Sequence, residues 1–191
     1  SNAGWKVIGL DSSEAMLAKA NQKASDAGCA VELAQQDMRS LQIPEPVQLV
    51  TAFYDTMNHL LFPEDLEATF RGVASALRPG GLFIFDVNTE ATFRQIWGGV
   101  THFIETPQAS TIYQMSYDPD TRLAKGLVTG FLRQGDLYEK FQEEIVERYW
   151  PPESLDHQVT AAGLRPIRRE AFNPFPLPGG GDLKWIWIVN R

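Results

Sequence analysis

The chain has 191 residues, of which 43% are hydrophobic and 21% charged, and its formal net charge is -7. This size fits one globular domain with a sizeable core, and the acidic balance disfavours a nucleic-acid partner or an anionic membrane, since both are bound through Lys and Arg. A single cysteine, Cys29, excludes an internal disulfide, and three scattered histidines offer no metal-ligand spacing, so we expect a cytoplasmic protein without a metal.

Strands and helices alternate through the first half of the sequence. An apolar run predicts the first strand, and the residues after it predict a helix that ends at Gly28. Apolar strands that alternate with helices indicate a parallel sheet covered on both faces, the α/β class. The predicted strands are Trp5–Leu10, Ala30–Ala34, Val47–Phe53 and Leu82–Val87, and the second predicted helix is Leu66–Leu77.

The pattern changes between residues 101 and 150. Four extended segments of alternating polarity, separated by turn signals such as Asp118-Pro119-Asp120, predict an antiparallel β meander inserted into the α/β domain. A helix opened by Pro151-Pro152 then precedes two final strands, Pro166–Phe172 and Leu183–Val189. The Pro/Gly-rich connection between these strands suggests an antiparallel edge of the sheet.

Two acidic residues follow successive predicted strands. Asp11 ends the first strand, at the edge of an α/β sheet where ligands bind. Its carboxylate can accept hydrogen bonds from both hydroxyls of a ribose, or it can cap the next helix with Glu14 completing a capping box. Asp37 and Met38 follow the second strand, where a carboxylate can accept from an adenine amino group and a backbone N–H can donate to the ring; a turn carboxylate before a core methionine is the alternative. Acids after two neighbouring parallel strands are expected to share one crevice.

Three segments, in this order, resemble class I S-adenosylmethionine-dependent methyltransferases: Val7–Ser13, Gln36–Met38 and Leu77–Asn88. The segment Phe53–Leu60 resembles the fourth-strand motif of a bacterial subgroup that includes aminosugar N-methyltransferases and carries a β meander after strand five. The resemblance covers nearly all of residues 4–191. It implies a Rossmann-like methyltransferase fold with an inserted antiparallel β lid, S-adenosylmethionine as cofactor, and methyl transfer to nitrogen or oxygen of a small molecule. The implied cofactor contacts are Asp11 for the ribose, Asp37 and Met38 for adenine, and Phe53 and Tyr54 beside the methyl group. Ser12 is a further expected cofactor-binding residue.

The sequence departs from this family at its start. The family's first strand and glycine-rich turn are expected before Trp5, and its glycines let the backbone approach the methionine end of the cofactor closely. Residues 1–3 resemble a scar of tag cleavage. We therefore expect an incomplete domain over residues 4–191, truncated at the N-terminus, with an insertion at residues 101–150 and with doubtful activity as it stands.

In methyl transfer from S-adenosylmethionine, the protein mainly aligns the acceptor with the methyl group and excludes water. Asp55 and His59, just past the third strand, are expected to be pocket residues, although Asp55 could cap a short helix and His59 could simply pack. Aromatic residues of the meander could line the acceptor site or form the meander's own packing face. The acidic residues Glu139, Glu143, Glu144 and Glu147 could bind an amine or form a solvated strand face.

Two other classes of function stay open at this point. An acid after the second strand also binds the ribose of a nicotinamide cofactor, so an oxidoreductase fragment is one alternative. A non-catalytic binding or assembly domain is the other. Because a missing inner strand leaves two unpaired strand edges, we expect either direct pairing of those edges or, by preference, a homo-oligomer that covers them.

Overall fold

The computed structural model describes residues 4–191, so the predicted tag remnant Ser1–Ala3 lies outside the described residues. The described strands form three sheets, with the orders β1-β2, β3-β4-β10-β9 and β5-β6-β7-β8. The strands are β1 Ile8–Asp11, β2 Glu32–Gln35, β3 Val47–Ala52, β4 Leu77–Asn88, β5 Thr101–Glu105, β6 Ala109–Asp118, β7 Leu123–Gln134, β8 Leu137–Arg148, β9 Arg165–Phe172 and β10 Lys184–Asn190. The helices are α1 Glu14–Asp26, α2 Pro63–Ala76, α3 Glu90–Thr92 and α4 Pro152–Ala161.

The parallel strands predicted from the sequence are present in two separate pairs. Strand β1 pairs with β2, and β3 pairs with β4, both in parallel register. Strand β10 is antiparallel to β4 and to β9, which confirms the antiparallel edge suggested by the Pro/Gly-rich connection. The fold is therefore the mixed α/β arrangement that the alternation of strands and helices predicted.

The main core lies between the sheet β3-β4-β10-β9 and the helices α2 and α4. Apolar residues of α2 at helical spacing, including Leu66, Phe70 and Val73, are buried against alternate residues of β4. Phe83 stacks on Phe85 with ring centroids 4.8 Å apart. Phe85 stacks in turn on a tryptophan of β10, with centroids 5.5 Å apart.

The third sheet, which we call the lid sheet, is the predicted meander. All of its neighbouring strands are antiparallel. It packs through Ala124 on Phe93 and Trp97, which belong to a π-helical turn, Phe93–Trp97, directly after α3. The sequence analysis did not identify this turn, nor two 3₁₀ turns at Met38–Ser40 and Thr56–His59.

The pairs β1-β2 and β3-β4 are not hydrogen-bonded to each other. Direct pairing of β1 with β3, one of the two arrangements expected from the sequence, is therefore not adopted. Between residues 4 and 56 no residue is fully buried, and the first buried side chain is Met57. The unit β1-α1-β2 thus lacks a core of its own within the described residues.

Candidate functional site

A cavity of about 640 Å³ separates the two parallel strand pairs. Its walls come from the carboxyl end of β1, from the turn after β2, and from β3 with the 3₁₀ turn that follows it. It brings together seven of the eight predicted site residues: Asp11, Ser12, Asp37, Met38, Phe53, Tyr54 and His59. Asp55, the eighth, lies beside the cavity but is not part of its lining.

Asp11 contributes one carboxylate oxygen to the fold. Its Oδ1 accepts a hydrogen bond from the backbone N–H of Ser13 at 2.8 Å. Ser13, rather than Asp11, caps α1, because its hydroxyl accepts from the N–H of Met16 at 3.3 Å. Among residues 4–191, no hydrogen-bond donor is found for Asp11 Oδ2, which leaves that oxygen available to a ligand in the cavity.

Asp37 is held by a residue that the sequence analysis did not single out. The guanidinium of Arg39 donates to Oδ1 from Nε at 3.0 Å and to Oδ2 from Nη2 at 2.6 Å, and the backbone N–H of Arg39 adds a third bond at 2.9 Å. These bonds lower the pKa of Asp37 below its ordinary value, with the side-chain bonds to Arg39 as the main cause. Asp37 is therefore an ionised carboxylate held in a fixed orientation in the cavity wall. It has a lone pair beyond those that accept from Arg39, and this lone pair can accept a hydrogen bond from a ligand.

The chain turns sharply where β3 ends. Tyr54 and Asp55 both have left-handed backbone conformations, with φ of 60° and 57°. Non-glycine residues in this region are uncommon and cost free energy, and such residues concentrate at functional sites. The turn leaves the Tyr54 side chain 87% exposed at the cavity and directs Asp55 inward, where its N–H donates to Asp86 Oδ1 at 2.9 Å.

Asp55 belongs to a polar network at the carboxyl ends of β3 and β4. Lys184 Nζ donates to Asp55 Oδ1 and to Asp86 Oδ2, both at 3.1 Å. The side-chain amide of Asn88 donates to Asp55 Oδ2 at 2.9 Å and to Glu147 Oε2 at 3.0 Å. We call these five residues the carboxyl network. Both oxygens of Asp55 are thus occupied, which accounts for its position beside the cavity rather than in its wall.

Glu147 is the member of this network that comes from the lid sheet. It is 3% exposed, whereas the other acidic residues of β8, Glu139, Glu143 and Glu144, are exposed as a solvated strand face would be. Burial, with a smaller contribution from the charge of Asp55, raises the pKa of Glu147 to about 8. The protonated, neutral form of Glu147 is therefore favoured at pH 7.

The same end of the lid is joined to the 3₁₀ turn Thr56–His59 and the residues after it. Asn58 Nδ2 donates to the carbonyl of Arg148 at 2.9 Å, and Arg148 Nη1 donates to the carbonyl of Leu61 at 2.8 Å. The indole N–H of Trp150 donates to the carbonyl of Leu60 at 2.9 Å. These contacts fix the base of the lid next to the turn that carries His59.

The aromatic residues of the meander have divided roles. Tyr117 and Tyr149 pack on the cluster around Phe93, and Trp150 is buried in the main core. Phe103, Tyr138 and Phe141 are exposed. Tyr117, Tyr149 and Trp150 therefore serve packing, as the alternative interpretation expected.

No group of His, Cys, Asp and Glu side chains in residues 4–191 is arranged to hold a metal ion. No helix within these residues combines the length and apolar character that crossing a bilayer requires.

Comparison with known proteins shows what this chain is similar to. A family model described as "Methyltransferase domain" matches residues 1–81. The candidate methyltransferase YqeM of Bacillus subtilis (strain 168) is 28% identical over 163 residues, which cover 85% of this chain and 66% of that protein. The chain thus spans slightly less than two thirds of the length of this curated relative.

Two solved structures share the fold. An S-adenosylmethionine-dependent methyltransferase from Clostridium acetobutylicum ATCC 824 superposes with a TM-score of 0.86 at 24% identity, over 97% of this chain and 75% of its own. The amino pentose methyltransferase CalS10 from Micromonospora echinaspora, solved with S-adenosylmethionine bound, gives a TM-score of 0.73 at 17% identity, over 97% and 74% of the two chains. These matches confirm the Rossmann-like fold that was expected from the sequence.

Proposed function

We propose that the chain belongs to the class I S-adenosylmethionine-dependent methyltransferases and that the full-length protein transfers the methyl group of this cofactor to nitrogen or oxygen of a small molecule. We propose further that it works in the cytoplasm. The observation that carries the proposal is the cavity, where Asp11 and Asp37 follow neighbouring parallel strands and line one space.

The residues of the cavity fit the adenosine half of the cofactor. Its volume of about 640 Å³ lies within the range of roughly 300–1,000 Å³ that is usual for small-molecule sites. Asp11 offers a free carboxylate oxygen for a ribose hydroxyl, and the ionised Asp37 offers acceptors for an amino group. Met38 and Phe53 add apolar surface for a flat ring.

S-adenosylmethionine supplies an activated methyl group on a sulfonium. The chain's own residues have the remaining tasks of orienting the nucleoside, exposing an acceptor to the methyl group and excluding water. Tyr54 and His59 are the cavity residues best placed to meet an acceptor, since both are exposed at its rim. Asp55 does not line the cavity, and its hydrogen bonds to Lys184 and Asn88 hold the turn that carries Tyr54.

The cavity of residues 4–191 lacks one feature that the methionine end of the cofactor favours. No glycine is found among the residues 4–191 that line the cavity, although close approach to the methionine end favours glycine. We therefore propose that high cofactor affinity needs a segment outside residues 4–191, and that this chain by itself is weakly active or inactive.

The proposal is tested with the full-length protein and two cofactors. Thermal shift with S-adenosylhomocysteine and with NAD separates the methyltransferase from an oxidoreductase, and stabilisation by the first compound alone is expected. Incubation with methyl-labelled S-adenosylmethionine and a panel of small amines and alcohols should then move label to an acceptor. Stabilisation by NAD, or by neither compound, contradicts the proposal.

A further inference from the structure

Glu147 lies where the lid sheet meets the carboxyl end of β4. It lies near the carboxyl end of β8, directly opposite Ala124 of β7, which is also buried. The hydrogen bonds that it makes within residues 4–191 come from Asn88, onto Oε2. A buried carboxyl group therefore links a lid strand to the last residue of β4.

All the N–H groups of Asn88 donate hydrogen bonds to this network or to Asn58. The two hydrogens of its side-chain amide go to Asp55 Oδ2 and Glu147 Oε2. Its backbone N–H donates to Asn58 Oδ1 at 2.9 Å, and Asn58 is itself completely buried. Because one amide group serves both carboxyl groups, the position of Glu147 is transmitted to Asp55.

The charges around Glu147 do not balance a third ionised carboxyl group. Asp55 and Asp86 share Lys184, so one cation already faces two carboxylates. Arg148, the next residue of β8, is turned away, with its guanidinium over the Trp150 ring at 5.0 Å. The neighbour from β7 is the uncharged Ala124, and Glu143 on the same face of β8 is exposed. Asp55, Asp86 and Lys184 together carry a net charge of about -1, and an ionised Glu147 would make this about -2. A second uncompensated negative charge in a buried cluster costs much free energy.

We propose that Glu147 is a positioning residue that acts as a neutral carboxylic acid: it joins the lid sheet to the end of β4 and, through Asn88, fixes Asp55 and the Tyr54 turn at the edge of the cavity. The consequence for the acceptor site rests on the proposed methyl transfer. The linkage itself rests on the carboxyl network alone.

This role makes the stability of the chain depend on pH in a defined direction. The pKa of Glu147 is raised to about 8 in the folded state from an ordinary value of 4.5. Between these values the folded chain keeps the proton while the unfolded chain releases it, so the contribution of Glu147 is full below about pH 4.5 and is lost as pH rises to about 8. The unfolding equilibrium constant should rise by up to about tenfold per pH unit within this window.

The experiment compares the wild-type chain with Glu147→Gln and Glu143→Gln by urea unfolding from pH 5 to pH 9. Glutamine keeps the shape and the acceptor of the neutral acid but cannot ionise. We expect Glu147→Gln to gain stability relative to wild type steadily as pH rises. A further variant, Glu147→Ala, should be most destabilised relative to wild type at pH 5 and less so as pH rises, because the contribution of Glu147 is lost towards pH 8. Glu143→Gln, on the same strand and face but exposed, should follow the wild-type profile.

A second measurement on the wild-type chain keeps the test independent of how the variants fold. Infrared spectroscopy should show a protonated carboxylic acid band that disappears as pH passes about 8. Parallel stability profiles for wild type and Glu147→Gln, or a band already absent at neutral pH, would overturn the proposal. Neither readout uses cofactor or acceptor, so these results are distinguishable from a failure of the proposed methyl transfer.

Discussion

Asp11 divides its carboxylate between the fold and the cavity. Oδ1 supports the first turn of α1 through Ser13, and Oδ2 is available for a ribose hydroxyl. We expect Asp11→Ala in the full-length protein to weaken S-adenosylhomocysteine binding by about tenfold to a hundredfold, because hydrogen bonds to a charged acceptor contribute roughly 1.5–3 kcal/mol. Calorimetric titration measures this change.

Ser13→Ala is the matched control for that prediction. It removes the cap of α1 but leaves the carboxylate of Asp11 in place, so it should reduce stability by about 1 kcal/mol with little change in affinity. Equal affinity losses in the two variants would mean that Asp11 acts on the ligand only by supporting the helix.

The site residues that could be predicted from the sequence depend on local pattern, and those that could not depend on contacts with distant parts of the chain. Asp11 and Asp37 could be predicted because each directly follows an apolar strand, so their place at the sheet edge depends on local pattern. Glu147 could not, because residues 137–148 are polar on both faces of the predicted strand. Its burial depends on Asn88, which is 59 positions away in the sequence.

At the scale of elements, the contact between the lid and the 3₁₀ turn Thr56–His59 depends on one fully buried amide. Asn58 accepts from the N–H of Asn88 and donates to the carbonyl of Arg148. Asn58→Ala leaves a buried backbone N–H and a part-buried carbonyl without partners and should cost about 2–4 kcal/mol of unfolding free energy. Gln142→Ala, which removes a side-chain bond to Thr129 at the exposed part of β8, should cost less than about 1 kcal/mol.

Urea unfolding of the two variants tests this account of the lid. If Asn58→Ala is no more destabilising than Gln142→Ala, the lid is held by other contacts.

The order and type of the main strands followed from periodicity, and their ends differ from prediction by a few residues. The π-helical turn Phe93–Trp97 was not predictable, since it is stabilised by packing on Tyr117 and Ala124 of the lid.

At the scale of the whole molecule, we propose that the unpaired edges of β1 and β3 take part in association between chains. Neither edge pairs with another strand within residues 4–191, and Val7, Leu49 and Phe53 are exposed near them. Unpaired strand edges with apolar neighbours favour association. We expect this chain to form a homodimer or a larger assembly at micromolar concentration, and light scattering that shows a stable monomer would count against this expectation.

Calorimetric titration of S-adenosylmethionine into this chain and into the full-length protein tests the central claim most directly. The cavity of residues 4–191 offers Asp11 and Asp37 to the adenosine half of the cofactor but no glycine turn to its methionine end. Each 1.4 kcal/mol of lost contact is tenfold in affinity, and the missing contacts should amount to several kcal/mol. We therefore predict binding by the full-length protein and affinity at least about a hundredfold weaker in this chain. Equal affinity in both, or no binding by the full-length protein, would contradict the account.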